Sequence, residues 1–323
     1  MGFDPLGSIT HGAKSAWDWT FNDTKATGNF FKELWNGAGA SVKPHKPQGI
    51  DMNNTELYNT SGSNANMPSL SDIRQGKYGD CYFLASLGAL VQQDPEAVKN
   101  MIHDNGNGTY TVTFQHVPTD GIHDLWGLTG HTYTTKQFTV SAKDISKIGA
   151  NQLITVTDNG KQVIWPAVVE AAYAKMHNTK VFGLNFGIDS GDQNISGGGF
   201  SKPAMQTLIG NDVQSYSANN SAELNNLGSQ IHSGKLITVS TKDSDGNKKG
   251  YENGKNPDGL IGNHVYTVTD VFIGNDGQAY VKLNNPWGDD QPGKDYKQPG
   301  KDDGIIPLSD LPKYFDNITV GTD

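Results

Sequence analysis

The sequence contains almost no cysteine. Cys81 is the only one among 323 residues, so the chain cannot form an internal disulfide, and its cysteine content does not identify a redox compartment. A lone thiol is more often a small buried apolar residue than a reactive group. Any chemistry of this thiol must therefore be supported by residues elsewhere in the chain.

Several other features are also missing from the sequence. No apolar run approaches the roughly 20 residues that span a bilayer, and the N-terminus lacks the basic region and apolar core of a secretory signal. There is no dense cluster of Lys and Arg, and the net charge is −9, which disfavours a nucleic-acid partner. We expect no transmembrane segment, and a location in the cytoplasm or export by a route without a signal peptide.

The N-terminal region is rich in aromatic residues. Trp17, Trp19 and Trp35 are three of the six tryptophans, and we predict that this segment docks on the main body or on a partner. From Asn36 to Asn66 the composition shifts to Gly, Ser, Asn and Pro, which is typical of a linker. Residues 1–67 are therefore predicted to be an aromatic segment followed by a linker.

The rest of the chain reads as helices first and strands afterwards. Apolar residues predict a buried helix from Cys81 to about Val91 and a second helix from Trp165 to Met176. A run of strands begins at Leu236. This order predicts an α+β protein with two unlike lobes, a helical lobe over residues 68–202 and a strand-rich lobe over residues 203–323.

A hairpin is predicted in the second lobe. His264 begins a strand, Asp276-Gly277 is a strong turn signal, and a second strand over 279–283 leads to Asn285 and Trp287. Folding the two strands about this turn places His264 near Trp287 and within a residue pair or so of Asn285. A histidine and an asparagine should therefore meet at one end of the hairpin.

Cys81 is predicted to lie in the first turn of its helix, because Gly79-Asp80 is a typical helix start. The unpaired N–H groups and the positive end of the helix dipole favour an anion there, so we expect the pKa of the thiol to be lowered. This is the environment of a nucleophile.

Together these residues suit a Cys-His-Asn catalytic set. Cys81 would attack, His264 would accept its proton and later protonate the leaving amine, and the amide of Asn285 would hold the imidazole ring. Trp287 would shield the His–Asn hydrogen bond from water, and Gln75 would donate an N–H to the developing oxyanion. Each residue alone also has a structural explanation as a strand residue, turn former or surface amide, but their combination favours chemistry.

The motifs resemble, in order, the protease core of the calpain family over about residues 68–323. The matching segments are 72–76, 79–85, Trp165 with 170–175, Gly197-Gly198, 264–269 and 285–288. The resemblance implies a papain-like, two-lobed thiol endopeptidase that acts on proteins or peptides. It implies Cys81, His264 and Asn285 as the catalytic triad and Gln75 in the oxyanion hole. The substrate-binding positions that it suggests are Gly197, Gly198, Asn263 and Trp287.

The sequence departs from the family pattern at a few positions. Tyr82 replaces the usual Trp after the nucleophile, and Asn263 replaces the usual Gly before the catalytic His. Asp72 matches one calcium ligand of the family, but Val163 stands where the resemblance predicts a Glu ligand. Because Ca²⁺ prefers six to eight oxygen ligands, several of them carboxylate, we expect no cofactor to be required and calcium not to be essential.

Two alternative functions keep the same residues. The first is an amidase or acyltransferase acting on a non-protein amide, because a fold does not determine the substrate. The second is a catalytically silent binding module. The presence of all four catalytic residue types argues against the second alternative.

Overall fold

The computed structural model describes residues 49–60, 65–76, 78–119, 132–149, 160–177, 195, 198–242, 260–288 and 304–322. The predicted docking of the aromatic N-terminal segment and the start of the predicted linker lie outside these residues.

The described residues form seven α-helices and eleven strands. The helices are α1 (Cys81–Gln93), α2 (Pro95–Met101), α3 (Ala142–Gly149), α4 (Trp165–Met176), α5 (Ser201–Ile209), α6 (Ser221–His232) and α7 (Leu311–Tyr314), and Leu70–Asp72 and Leu308–Asp310 are short 3₁₀ helices. The strands are β1 (Thr55–Glu56), β2 (Ile102–Asp104), β3 (Thr109–Pro118), β4 (Tyr133–Ser141), β5 (Gln162–Val163), β6 (Val213–Ser217), β7 (Leu236–Thr241), β8 (Val265–Ile273), β9 (Ala279–Asn284), β10 (Ile305–Pro307) and β11 (Phe315–Gly321).

The architecture is α+β with two lobes, as predicted. The first lobe packs α4 and α5 against a three-stranded sheet with strand order β2-β3-β4, and α1 packs against α5. The second is built on a six-stranded sheet with strand order β10-β9-β8-β7-β11-β6, and its apolar core lies between this sheet, α6 and α7. The boundary between residues 202 and 203 stays a prediction.

Helix α1 is the central element of the molecule. Every residue from Tyr82 to Val91 is buried, because the helix is apolar around most of its circumference, as expected for a fully enclosed helix. One side packs against the helical lobe, and another packs against β7 and β8 of the second lobe. The nucleophile candidate at its first residue is therefore held at the junction of the two lobes.

The contact between α1 and β8 is unusually close. The Thr267 hydroxyl donates a buried hydrogen bond of 2.8 Å to the Ala85 carbonyl oxygen. A Cβ atom placed on Gly88 would lie 2.7 Å from the Thr267 Oγ1 and 3.0 Å from the Leu70 Cδ1. Only glycine allows the helix and the strand to approach this closely.

The predicted linker extends too far toward the C-terminus. Residues 49–60 belong to the folded body: β1 pairs in parallel with β5, and Ile50, Met52, Leu57 and Tyr58 pack on the helical core. These apolar residues are spaced among polar ones without helical or strand periodicity, so composition alone suggested a linker. The body therefore begins before Met67.

The predicted hairpin is present. Strands β8 and β9 pair Ile273 with Ala279 and Thr267 with Asn284, and the register shifts between Val268 and Asp270 at an irregularity typical of a β-bulge. Strand β6, in contrast, lies before Leu236, where the sequence predicted the run of strands to begin.

Candidate active site

Cys81 is the first residue of α1, as predicted, and it is partly exposed. The backbone N–H of Val265 interacts with its thiol, so the sulfur lies beside the residue that follows His264. The two halves of the predicted site, which are far apart in the sequence, therefore meet in the fold.

The pKa of the Cys81 thiol differs from the prediction. Burial and, to a smaller extent, the neighbouring Asp80 carboxylate raise it to about 12. The N–H groups of Val265, Tyr82 and Cys81 itself act in the opposite direction, but desolvation outweighs them. The helix N-terminus alone does not prepare a thiolate, so the resting thiol carries its proton.

His264 and Asn285 are hydrogen bonded to each other. Their Nε2 and Oδ1 atoms lie 2.8 Å apart, and both residues are buried. The Asn285 Oδ1 also accepts a hydrogen bond of 3.1 Å from the Trp287 backbone N–H, which identifies this atom as the oxygen. Because an oxygen here can only accept, the His264 Nε2 must carry the proton, and Nδ1 is the basic nitrogen of the neutral ring.

Two aromatic rings flank this hydrogen bond, Trp287 as predicted and Tyr266 in addition. The Trp287 ring lies 5.1 Å from the His264 ring at an angle of 61°, and the Tyr266 ring lies 5.0 Å away at 85°. Trp287 and Tyr266 are both buried. The low local dielectric strengthens the His–Asn hydrogen bond and fixes the plane of the imidazole.

Gln75 lies in a loop of the first lobe that is hydrogen bonded to the second lobe. Its backbone N–H donates a hydrogen bond of 2.7 Å to the Pro286 carbonyl oxygen, directly after Asn285. Its side-chain Nε2 donates a hydrogen bond of 2.6 Å to the Tyr78 carbonyl oxygen. Next to it, the Arg74 side chain lies against Gly288, where a Cβ would meet the Arg74 Cγ at 3.1 Å.

The structure describes three of the four predicted substrate-binding positions, Gly198, Asn263 and Trp287. Gly197 lies outside the described residues. Gly198 has a φ of +85° and Asn263 a φ of +52°, a left-handed conformation that glycine adopts easily and asparagine tolerates. This explains how Asn263 replaces glycine before His264. The Tyr82 ring packs under Gly199, where a Cβ would lie 2.7 Å from ring atoms.

Asp72, the candidate calcium ligand, is used within the protein. Its Oδ2 accepts hydrogen bonds from the Trp165 Nε1 at 2.7 Å and from the Ser69 backbone N–H at 3.0 Å. Burial raises its pKa. In the part of the chain that the structure describes, no group of three or more His, Cys, Asp or Glu side chains is arranged to hold a metal ion.

Two carboxyl groups near the site were not predicted as functional. Asp80 and Glu170 are both fully buried. The sequence did contain a signal for Glu170, since it is the only acidic residue in helix α4 and the only charged one before Lys175. Asp80 was interpreted only as a helix-start residue.

Comparison with known proteins identifies the family. A sequence profile of the calpain family of cysteine proteases matches residues 50–297. The chain belongs to the calpain family. Membership agrees with the papain-like, two-lobed α+β fold.

Individual calpains are similar to the chain at low identity. Calpain clp-4 of Caenorhabditis elegans is 26% identical over 232 residues, which are 68% of this chain and 28% of that protein. Calpain-13 of Rattus norvegicus is 25% identical over 223 residues, 67% of this chain and 29% of that protein. Calpain-12 of Homo sapiens is 23% identical over 226 residues, 68% of this chain and 27% of that protein. The chain thus spans less than a third of the length of these relatives.

Among the helices that the structure describes, none is long and apolar enough to cross a membrane.

Proposed function

We propose that the protein is a cysteine endopeptidase that hydrolyses peptide bonds through a thioester acyl-enzyme at Cys81. The observation that carries this proposal is the buried hydrogen bond between His264 and Asn285, at the start of the strand whose first residue, Val265, contacts the Cys81 thiol. Because the His264 Nε2 carries the proton that Asn285 accepts, the Nδ1 is the nitrogen that takes the thiol proton in this proposal.

The reaction begins with a neutral thiol, because burial raises its pKa to about 12. The His264 Nδ1 takes the proton from the Cys81 Sγ as the sulfur attacks the substrate carbonyl carbon. The resulting imidazolium is stabilised by its Nε2–H hydrogen bond to Asn285. His264 then gives the proton to the leaving amine, the C–N bond breaks, and a thioester remains on Cys81.

Deacylation uses the same residues in reverse. His264 accepts a proton from a water molecule, which attacks the thioester carbonyl carbon, and the C–S bond breaks. The proton returns from His264 to the Cys81 sulfur, and the carboxylic acid product leaves. The enzyme is thereby restored to its resting state.

Gln75 stabilises the oxyanion in both steps. A glutamine amide carries two N–H hydrogens, so the hydrogen bond to the Tyr78 carbonyl oxygen uses one and leaves the other for the oxyanion. The Cys81 backbone N–H is the second donor. Because Gln75 is buried and its backbone is bonded to Pro286, the donor is held in place before the substrate arrives, which is the condition for effective electrostatic stabilisation.

We also propose that this core works without calcium. The described residues that the family pattern points to do not fit the ion: the Asp72 Oδ2 already accepts two hydrogen bonds, the Val163 side chain carries no oxygen, and Ca²⁺ takes six to eight oxygen ligands. The lobes are instead held together by direct hydrogen bonds, from the Gln75 backbone N–H to the Pro286 carbonyl oxygen and from the Thr267 hydroxyl to the Ala85 carbonyl oxygen.

Cleavage of an unfolded protein such as casein, with and without a strong calcium chelator, tests both proposals. We expect internal cleavage by the full chain, the same rate within about twofold in the chelator, and no cleavage by Cys81→Ala. Cleavage by Cys81→Ala would contradict the endopeptidase proposal. Loss of cleavage in the chelator, restored by added Ca²⁺, would contradict the calcium proposal. Absence of cleavage while Cys81 reacts with thiol reagents would favour an amidase or acyltransferase.

A further inference from the structure

Two carboxyl groups lie together behind the proposed nucleophile. Asp80 immediately precedes Cys81 and is 1% exposed, and Glu170, in the middle of α4, is 0% exposed. Each shifts the pKa of the other through a side-chain hydrogen bond and, at Glu170, through charge repulsion. The side chains are therefore in direct contact.

Neither carboxyl group has an ordinary partner among the described residues. Apart from the contact between the two carboxyl groups themselves, no described donor forms a hydrogen bond with the four oxygens of Asp80 and Glu170, although the Gln75 amide is near enough to lower the Asp80 pKa. Asp80 is the N-cap residue of α1, but its side chain does not cap the helix, which is what an N-cap aspartate usually does. No described Lys, Arg or His side chain shifts the pKa of either carboxyl group.

We propose that Asp80 and Glu170 share one proton as a carboxylic acid–carboxylate pair, and that this pair positions Gln75 and Cys81 for the reaction. The Glu170 O–H donates to the Asp80 carboxylate, whose negative charge orients the dipole of the nearby Gln75 amide without taking up either of its N–H hydrogens. Both are positioning residues and neither touches the substrate. This inference rests on the proposed function for its catalytic meaning, but the pair itself does not depend on it.

The electrostatics of the surroundings support a single shared proton. Burial raises the pKa of Asp80 to about 7 and that of Glu170 well above its ordinary value, and two carboxyl groups in contact resist double ionisation. The other titratable groups beside them are the Cys81 thiol and the hydroxyls of Tyr82 and Tyr173, whose pKa values are all raised, and these groups are neutral at pH 7. The His177 ring contacts Tyr173, 4.5 Å away.

The pair acts on the site through Asp80. Its negative charge raises the pKa of the Cys81 thiol, which keeps the resting thiol protonated until His264 accepts the proton. The same charge attracts the Gln75 N–H groups. Since burying an unpaired carboxylate costs several kcal/mol, a second carboxyl group that supplies a proton explains how Asp80 can remain behind the nucleophile.

The rate of Cys81 alkylation by iodoacetamide as a function of pH tests the pair in the full chain without requiring peptidase activity. Asp80→Asn removes the charge, so its alkylation profile should shift to lower pH by on the order of one unit. Glu170→Gln still offers an N–H donor to Asp80 but has no proton to share, so the Asp80 carboxylate should stay ionised to a lower pH than in the wild type. Alkylation of Cys81 in Glu170→Gln should therefore match the wild type near pH 8 and be slower near pH 6.

Unfolding in urea provides the second measurement. A carboxyl group with a raised pKa in the folded state retains a proton that the unfolded state has already lost, so its contribution to stability falls as the pH rises from about 4 through about 7. The urea midpoint of Asp80→Asn, relative to wild type, should therefore be higher near pH 8 than near pH 5. Glu170→Leu, which has a similar size but no donor, should lower kcat roughly tenfold or more through Gln75, whereas Glu170→Gln should retain kcat within about threefold.

Unchanged alkylation and urea profiles in both Asp80→Asn and Glu170→Gln would overturn the pair, even if Glu170→Leu fails to fold. Normal kcat in a folded Glu170→Leu would overturn its positioning role. If the wild type cleaves no peptide but the two profiles shift as described, the proton-sharing pair stands and the proposed function fails. The two failures are therefore distinguishable.

Discussion

Replacing His264 with alanine will lower kcat/KM for an unfolded protein substrate by about a thousandfold or more. The Cys81 thiol, with a pKa of about 12, is almost entirely protonated at neutral pH, so without a base very little of it can attack. Steady-state cleavage of a fluorogenic peptide, followed over several enzyme concentrations, measures the loss.

His232 provides a matched control for this variant. It is exposed and pairs with Asp270 at 3.0 Å on the side of the second lobe formed by α6. His232→Ala removes the same ring from the same lobe and should retain kcat/KM within about twofold, since an exposed pair of this kind contributes little. Retention of more than a tenth of the wild-type kcat/KM by His264→Ala would contradict the assignment of His264 as the base.

Gly88→Ala will destabilise the protein by about 1–3 kcal/mol and reduce its activity. The new Cβ would lie 2.7 Å from the Thr267 Oγ1, so Thr267 must move and its buried hydrogen bond to Ala85 is lost. Thr267 is in the strand that begins directly after His264, so we expect the displacement to reach the His264 side chain. Urea unfolding and peptide cleavage measure the two effects.

The controls for this variant separate crowding from helix propensity. Gly228 is also in a helix, but a Cβ there would lie 3.5 Å from Val271, an ordinary contact, so Gly228→Ala should be neutral or stabilising by about 0.5–1 kcal/mol. Thr267→Ala removes the obstructing oxygen, and the Gly88→Ala/Thr267→Ala double variant should lose less than the sum of the single losses. Additive losses would show that the close contact between α1 and β8 does not limit this position.

The sequence contained most of the information for the hairpin and the central helix. A two-residue period around an Asp-Gly turn determines which residues meet, and this predicted that His264 and Asn285 would approach each other. The bulge between Val268 and Asp270 did not alter this outcome, since an error of one residue still leaves the two side chains within reach.

The electrostatics of the site could not be predicted from the sequence, because they depend on burial from several directions. A helix N-terminus lowers the pKa of an exposed thiol, but Cys81 is desolvated by both lobes and lies beside Asp80. The contact between Asp80 and Glu170 joins two helices that are distant in sequence, and no periodicity relates them. The folded segment 49–60 was missed for a similar reason, because its apolar residues are ordered by partners such as β5 rather than by a local pattern.

The central claim is that Cys81 is a nucleophile whose thiol proton is accepted by His264. Labelling with an epoxide inhibitor of thiol proteases, followed by peptide mapping, tests this claim most directly. We expect one adduct per chain, on the peptide that contains Cys81, with cleavage activity lost in proportion to labelling and labelling much slower in His264→Ala. Cleavage activity that persists after Cys81 is fully modified would contradict the account.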